Sequence, residues 1–197
     1  IDGTAGRQNP RGQGFALDTE GHGASRAAGG MQVTTEALPG GQGNMMDVGA
    51  PVARLTVARE MHERLSEAAC TAGAQQADDQ GEVAKQLHQQ NADLKGNGGD
   101  PAQGQFPEFQ QPHLMLASPA GIESSTAGST HQQSNAHHAI TSGGHTSIAT
   151  GRSFLASAKD AIRLFAYRLG LKLVAASGDI DMQALKNGIN ILAKLEI

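Results

Sequence analysis

The sequence predicts a mainly β protein in which three copies of the chain share a regular solenoid of short strands, with an α-helical hairpin inserted ahead of it. Three observations lead to this fold class. Turn residues in the last third of the chain recur every eight residues. Between the turns, apolar and polar residues alternate with the period of a strand. Many residues on the apolar face are alanine, which suits a narrow interior.

The composition limits what kind of protein this is. The 197 residues carry a net charge of -4, and 38% are apolar, but they include only five Phe, one Tyr and no Trp. So few rings argue against a thick core within one chain. No basic stripe is present to bind nucleic acid, and no apolar run approaches the roughly 20 residues that cross a bilayer. Because the chain opens at Ile1 without a Met or a signal-like segment, we expect a fragment of a longer protein.

The segments on either side of the predicted helices read as loops with short extended pieces. Residues 1–50 predict a linker with two short strands, one at Phe15–Thr19 and one at Met31–Thr35, separated by glycines. Residues 97–136 predict a second linker and the first strands of this part of the chain, which begin after Pro112 and precede the repeat region.

Residues 51–96 predict a helical hairpin. Apolar residues recur at helical spacing over 51–74 and, more thinly, over 78–95. Pro51 suits a first helical turn, Asp78 or Asp79 is a candidate cap for the second helix, and Gly96 is a candidate end. Because the apolar stripes are thin, we expect the hairpin to depend on contacts with another part of the assembly.

Residues 137–197 carry the repeat from which the fold class is predicted. The turn pairs begin, with one slip near residues 168–170, at Gly143, Gly151, Lys159, Gly178 and Lys186. Within the pieces between them, Leu171, Leu173 and Ala175 alternate with Lys172 and Val174. An ordinary meander of hairpins is the alternative, but its strand lengths usually vary. The constant spacing favours a solenoid.

A single solenoid of this kind would leave one apolar face and many backbone edges uncovered. A closed symmetric assembly of three intertwined chains removes both problems, and the expected object is a stiff rod. The residues predicted to form the core of this trimer are Ile140, Ile148, Leu164, Leu173, Ile180, Met182, Ile189 and Ile191.

Five colinear stretches of the last 86 residues are distinctive: PHLMLASPAGI (112–122), TSGGHTSIATGRSFLAS (141–157), KDAIRLFA (159–166), LKLVAASGDI (171–180) and NILAK (190–194). They resemble the C-terminal region of VgrG spike proteins of bacterial type VI secretion systems. RGQGFALDT (11–19) and GMQVTT (30–35) resemble the segment that precedes a helical insertion in that family. The resemblance covers about residues 11–36 and 112–197.

The resemblance implies a homotrimeric triple-stranded β-helix, or β-prism needle, that punctures target membranes. In the family, the needle sits on a tube protein, a PAAR-repeat tip protein caps it, and effectors ride on it directly or through adaptor proteins. It is assembled in the bacterial cytoplasm and secreted into a target cell or the medium. Compared with a full VgrG, this chain lacks the N-terminal tube-docking portion and stops where family members usually continue.

The helical hairpin has two interpretations that the sequence leaves open. An amphipathic helix pair projecting from a rod is a natural docking surface for an effector or adaptor. The same pair could equally be a collar that packs against the base of the rod.

The sequence offers little support for a catalytic or metal site. A run of histidines suggests zinc or iron ligands, but no cysteine joins it and no helical i, i+4 pair is present, so a polar surface explains it better. Its members are His113, His131, His137, His138 and His145. Glu60, Glu63 and Glu67 fit the exposed face of a helix. We therefore predict no metal, no cofactor and no enzymatic activity. The alternative function is a trimeric fibre that binds a surface glycan, although the chain has few aromatic side chains to stack on sugars.

Overall fold

The computed structural model describes residues 15–41, 44–77, 79–98, 100–103 and 106–193. In chain order, its elements are β1 (Met31–Thr34), α1 (Gly49–Thr71), α2 (Gly81–Lys95) and β2 (Leu114–Ala117), with short 3-10 turns at Pro39–Gly41 and Pro101–Gln103. The chain divides into two compact units. We call residues 1–52 and 91–130 the strand unit, and residues 53–90 and 131–197 the repeat unit.

The strand unit contains a two-stranded parallel sheet. β1 pairs with β2 in a register that runs from Met31 opposite Leu114 to Thr34 opposite Ala117. Three hydrogen bonds extend the pairing beyond the strands. The Met31 N–H donates to the His113 carbonyl at 2.8 Å, the Thr35 N–H donates to the Ala117 carbonyl at 3.3 Å, and the Thr35 hydroxyl donates to Ser118 Oγ at 2.9 Å. Both strands lie where the sequence predicts extended chain. The structure has no strand at Phe15–Thr19.

A small apolar core fixes the sheet to the helix ends. Its buried members come from four separate places in the sequence: Val48 before α1, Leu94 at the end of α2, Phe109 in the following loop and Met115 in β2. Met115 is buried, whereas its neighbours Leu114 and Leu116 are exposed, as strand alternation requires. The core therefore covers only one face of β2.

Two glycines let loops approach this core closely. Gly96 has a φ of +69° and ends α2, and a β-carbon there would collide with the Glu108 carbonyl oxygen. Gly30 has a φ of +120°, and a β-carbon there would lie 2.6 Å from the Phe109 ring. Because L side chains rarely adopt positive φ, both positions favour glycine for conformational as well as steric reasons.

The helices begin and end close to the predicted residues. α1 starts two residues before Pro51, because the Asp47 carboxylate accepts a hydrogen bond from the Gly49 N–H at 3.0 Å. α2 starts at Gly81 and ends at Lys95, followed by the predicted Gly96. Asp79 does not cap α2: its carboxylate accepts from the Gln76 N–H in the preceding turn. Asp78, the other cap candidate, lies outside the described residues. Neither helix is long and apolar enough, over the residues described, to cross a membrane.

The mainly β prediction, a triple-stranded β-helix or β-prism, is wrong for this chain. Over the described residues, β1 and β2 contribute four residues each, whereas α1 and α2 contribute 23 and 15. Residues 119–193, all of them described, contain no strand, and the structure records no backbone–backbone hydrogen bond for them. The physical reason is that an extended segment becomes a strand only when a second segment lies alongside it, and this chain supplies none there.

The predicted corners are nevertheless present in the repeat unit. The chain bends at 143–144, 151–152 and 159–160, and again at 167–169, 176–178 and 185–187. These bends include every predicted turn start. The stretches between them are extended and unpaired.

Some predictions fall on residues outside the described ranges. The first part of the predicted linker, residues 1–14, lies outside them, and so does the beginning of the VgrG-like stretch at 11–19. The last four residues of the predicted repeat region, 194–197, also lie outside them. The boundaries proposed from sequence, 1–50, 51–96, 97–136 and 137–197, stay predictions as functional domains.

Candidate functional site

The main candidate surface is the apolar face of the repeat unit. All eight residues predicted to form a trimer core lie in the repeat unit, between residues 140 and 191, and they are 49% to 84% exposed in the single chain. They are Ile140, Ile148, Leu164, Leu173, Ile180, Met182, Ile189 and Ile191. Extended apolar surface of this kind marks an interaction site, because soluble proteins seldom leave it uncovered. Burial of these side chains against another chain stays a prediction.

The structure brings two of the eight residues together. Ile140 and Leu164 line one groove of about 380 Å³, whose other wall is α1, including Met61 and Leu65. The described residues contain no packed cluster that includes any of the other six. His62 also lines this groove, and its Nε2 atom is buried without a hydrogen-bond partner. The groove is therefore incompletely packed.

An ion pair joins the turn after α1 to the extended part of the repeat unit. Arg163 Nη1 lies 2.9 Å from Asp79 Oδ1, and the two side chains are 39% and 21% exposed. The second Asp79 oxygen, Oδ2, accepts from the Gln76 N–H at 2.6 Å. Asp79 thus holds its own turn and Arg163 at the same time. No local sequence pattern predicts this pair, since the partners are 84 residues apart.

Charged side chains on α1 pair with their neighbours. Arg59 Nη1 lies 3.3 Å from Glu63 Oε1, one helical turn away, and 2.9 Å from His88 Nδ1 on α2. Arg59 also approaches the Glu60 carboxylate at 3.8 Å. Pairs at this spacing are ordinary on helix surfaces. The arrangement agrees with the interpretation of these glutamates as surface residues.

The histidines do not converge. His113 Nε2 lies 3.4 Å from Asp93 Oδ2 in the strand unit, with the His113 ring edge-on to Phe109 at 6.5 Å between centroids. His131, His137, His138 and His145 are exposed. Within the described ranges, no three His, Cys, Asp or Glu side chains lie close enough together to hold a metal ion.

Sequence reasoning missed a second apolar cleft, which lies in the strand unit. It measures about 270 Å³ and is formed by Asn44–Met46 on one side and Phe106–Glu108 on the other. Met45 and Phe106 are exposed, whereas Met46 packs against the core. The available signal was Phe106-Pro-Glu-Phe109, which holds two of only six aromatic residues in the chain.

Comparison with known proteins identifies the class. Residues 1–69 match the family model described as a putative type VI secretion system Rhs element Vgr, and residues 101–197 match an uncharacterized protein family conserved in bacteria, DUF2345. Two type VI secretion system spike proteins of Pseudomonas aeruginosa are similar: VgrG2b at 31% and VgrG2a at 30% identity, each over 95% of this chain. These matches support a region of a type VI secretion system spike protein.

Solved structures agree with this class. The VgrG spike from the type VI secretion system matches 95% of this chain and 65% of its own, with a TM-score of 0.81 and 26% identity. A structure of the Tle1 effector bound to the VgrG spike matches with the same TM-score and identity, over 53% of that chain. Together with the family models and the curated relatives, these structures support a VgrG spike protein region, as the sequence resemblance implies. It spans only about a fifth of the length of the two Pseudomonas relatives, 18% of VgrG2b and 22% of VgrG2a.

Proposed function

We propose that this chain is a structural segment of a type VI secretion spike, which punctures target membranes and carries effectors, and that it has no enzymatic activity of its own. The observation that carries the proposal is the series of exposed apolar side chains between Ile140 and Ile191, in a chain similar to VgrG spikes. A surface of this kind is suited to assembly with other chains. A solved relative with a bound Tle1 effector supports the carrying role.

The proposed assembly is a homotrimer. The eight apolar residues from Ile140 to Ile191 are exposed in one chain, and three copies that bring these faces together would remove them from water. This burial between chains would also explain how a chain with so few aromatic residues becomes stable. The core assignment to these eight residues is part of the proposal.

The further partners follow from membership in the spike family. A PAAR-repeat protein at the tip, a tube protein bound through a preceding part of the protein, and effector or adaptor proteins are the proposed partners. The spike would be assembled in the bacterial cytoplasm and secreted with its cargo into a target cell or the medium. The proposal includes no nucleic acid and no cofactor.

The test is the mass of the chain in solution before and after one substitution. We expect wild type to have about three times 20.3 kDa by light scattering. Ile191→Asp should dissociate it, because three carboxylates would meet in an apolar interior. Ser177→Asp, which adds the same charge at a bend, should leave the trimer intact. A monomeric wild type would contradict the trimer, and an intact Ile191→Asp trimer would contradict the core assignment.

A further inference from the structure

The contact between the helix pair and the extended part of the repeat unit combines one short ion pair with loose apolar packing. The polar part is the ion pair between Asp79 and Arg163, with 2.9 Å between Oδ1 and Nη1. It joins the turn that connects α1 to α2 with a residue 84 positions further along the chain. Both side chains are shielded from water over more than half of their surface.

The apolar part of the same contact is incompletely filled. The groove of about 380 Å³ between α1 and the extended chain remains open, and Leu65, Ile140 and Leu164 on its walls are each at least half exposed. The buried His62 Nε2 atom, which has no hydrogen-bond partner, adds an unfavourable term to the closed contact. A contact that contains an open groove gains less dispersion energy than a closely packed one, so apolar packing alone stabilises this contact only weakly.

We propose that the Asp79–Arg163 pair is an electrostatic latch that holds the α1–α2 helix pair against the extended chain of the repeat unit. When the pair is broken, the helix pair detaches at this contact. Detachment exposes more of the Met61 and Leu65 side chains on α1. It also lets water form a hydrogen bond with the His62 Nε2 atom, which has no partner in the closed contact. The helix pair also lines clefts with residues 134–139 and with Phe165 and Tyr167, so the ion pair is one of several contacts that hold it.

The geometry favours Asp79 as the fixed half of the latch and Arg163 as the half that releases. Asp79 is held in its turn by the hydrogen bond from the Gln76 N–H to its second oxygen. Arg163 lies in extended chain that makes no backbone–backbone hydrogen bond in the described structure, and it is the more exposed partner. A part-exposed pair of this kind contributes little and is screened by salt, so the latch is readily reversible.

The test is hydrogen exchange of peptides from residues 53–71 in the full chain, followed by mass spectrometry. Arg163→Gln should accelerate exchange there by about two- to fivefold at low salt, the factor that a part-exposed ion pair supplies. Raising the salt to about 1 M should bring wild type close to the variant. The matched control is Arg152→Gln, which removes an exposed arginine of the same extended chain and should change nothing.

A conservative substitution separates the charge of Arg163 from its other roles. Arg163→Lys keeps the positive charge, so exchange in 53–71 should stay slower than in Arg163→Gln at low salt. Unchanged exchange in Arg163→Gln, an equal effect of Arg152→Gln, or exchange in Arg163→Lys as fast as in Arg163→Gln would each overturn the latch. Acceleration that extends to β1 would also overturn it, because Arg163 would then support the whole fold.

Discussion

Phe109 is the residue whose removal tests the small core of the strand unit most directly. Its ring is buried among Val48, Leu94 and Met115, and it packs edge-on against His113. Truncation of a buried Phe to Ala typically costs about 3–5 kcal/mol, the sum of lost transfer free energy and the cavity left behind. We expect the lower end, about 3 kcal/mol, because this core has only four buried members and its rim can relax into the space.

Hydrogen exchange of the β1 amides measures this cost locally. The chain lacks Trp, so fluorescence is uninformative. A loss of about 3 kcal/mol should speed exchange at Met31–Thr34 by roughly 100-fold, since each 1.4 kcal/mol is about tenfold. The matched control is Phe106→Ala, three residues away and 55% exposed, which should change exchange by less than about threefold. Equal effects of the two substitutions would refute the reasoning that the buried ring stabilises the sheet.

Two further predictions concern single positions around the helices. Gly96→Ala should destabilise the chain by about 2 kcal/mol or more, because the new side chain combines a positive φ with a collision against the Glu108 carbonyl. Gly98→Ala also has a positive φ but open space around it, so it should cost about 1 kcal/mol. Thermal unfolding of both variants measures the difference, and equal losses of stability would argue against the collision. Asp47→Ala should cost about 1 kcal/mol of stability and fray the start of α1, because the Gly49 N–H loses its acceptor. Far-UV circular dichroism measures the loss of helix. The control is Asp179→Ala, which removes an exposed aspartate far along the chain, and an equal loss of helix there would contradict the capping role of Asp47.

The helices could be predicted because their signals are local. Apolar spacing, a proline in the first turn and a glycine after the last residue all act within a few residues of the helix they define. The errors are at the boundaries: α1 begins earlier than predicted because of Asp47, and it ends at Thr71, where the Ala74 N–H turns back to the Ala69 carbonyl at 2.9 Å. Such hydrogen bonds depend on backbone geometry that residue spacing does not specify.

The core of the strand unit could not be predicted, because its members are distant in sequence. Val48 and Met115 are separated by both helices and the intervening loops, and no periodicity relates them. The parallel pairing of β1 with β2 is likewise a contact over about eighty residues. The same reason accounts for the missed Asp79–Arg163 pair. Contacts of this kind become visible only when the chain is placed in space.

In the repeat region, the positions of the bends and the formation of strands are two independent properties, although we predicted them together from one repeat. A pair such as Gly143–Gly144 bends the chain by its own local preferences, so an eight-residue spacing of such pairs predicts where bends occur. A strand also requires a second backbone about 5 Å away, and periodicity within one chain does not supply it. Apolar exposure is a third property: Ile180 and Ile189 are about half exposed in the single chain, in which their backbone is unpaired. Their burial requires a covering surface, not a ladder of hydrogen bonds. The proposal that copies of the chain assemble through this face therefore rests on apolar exposure, and it does not depend on the strand prediction that failed.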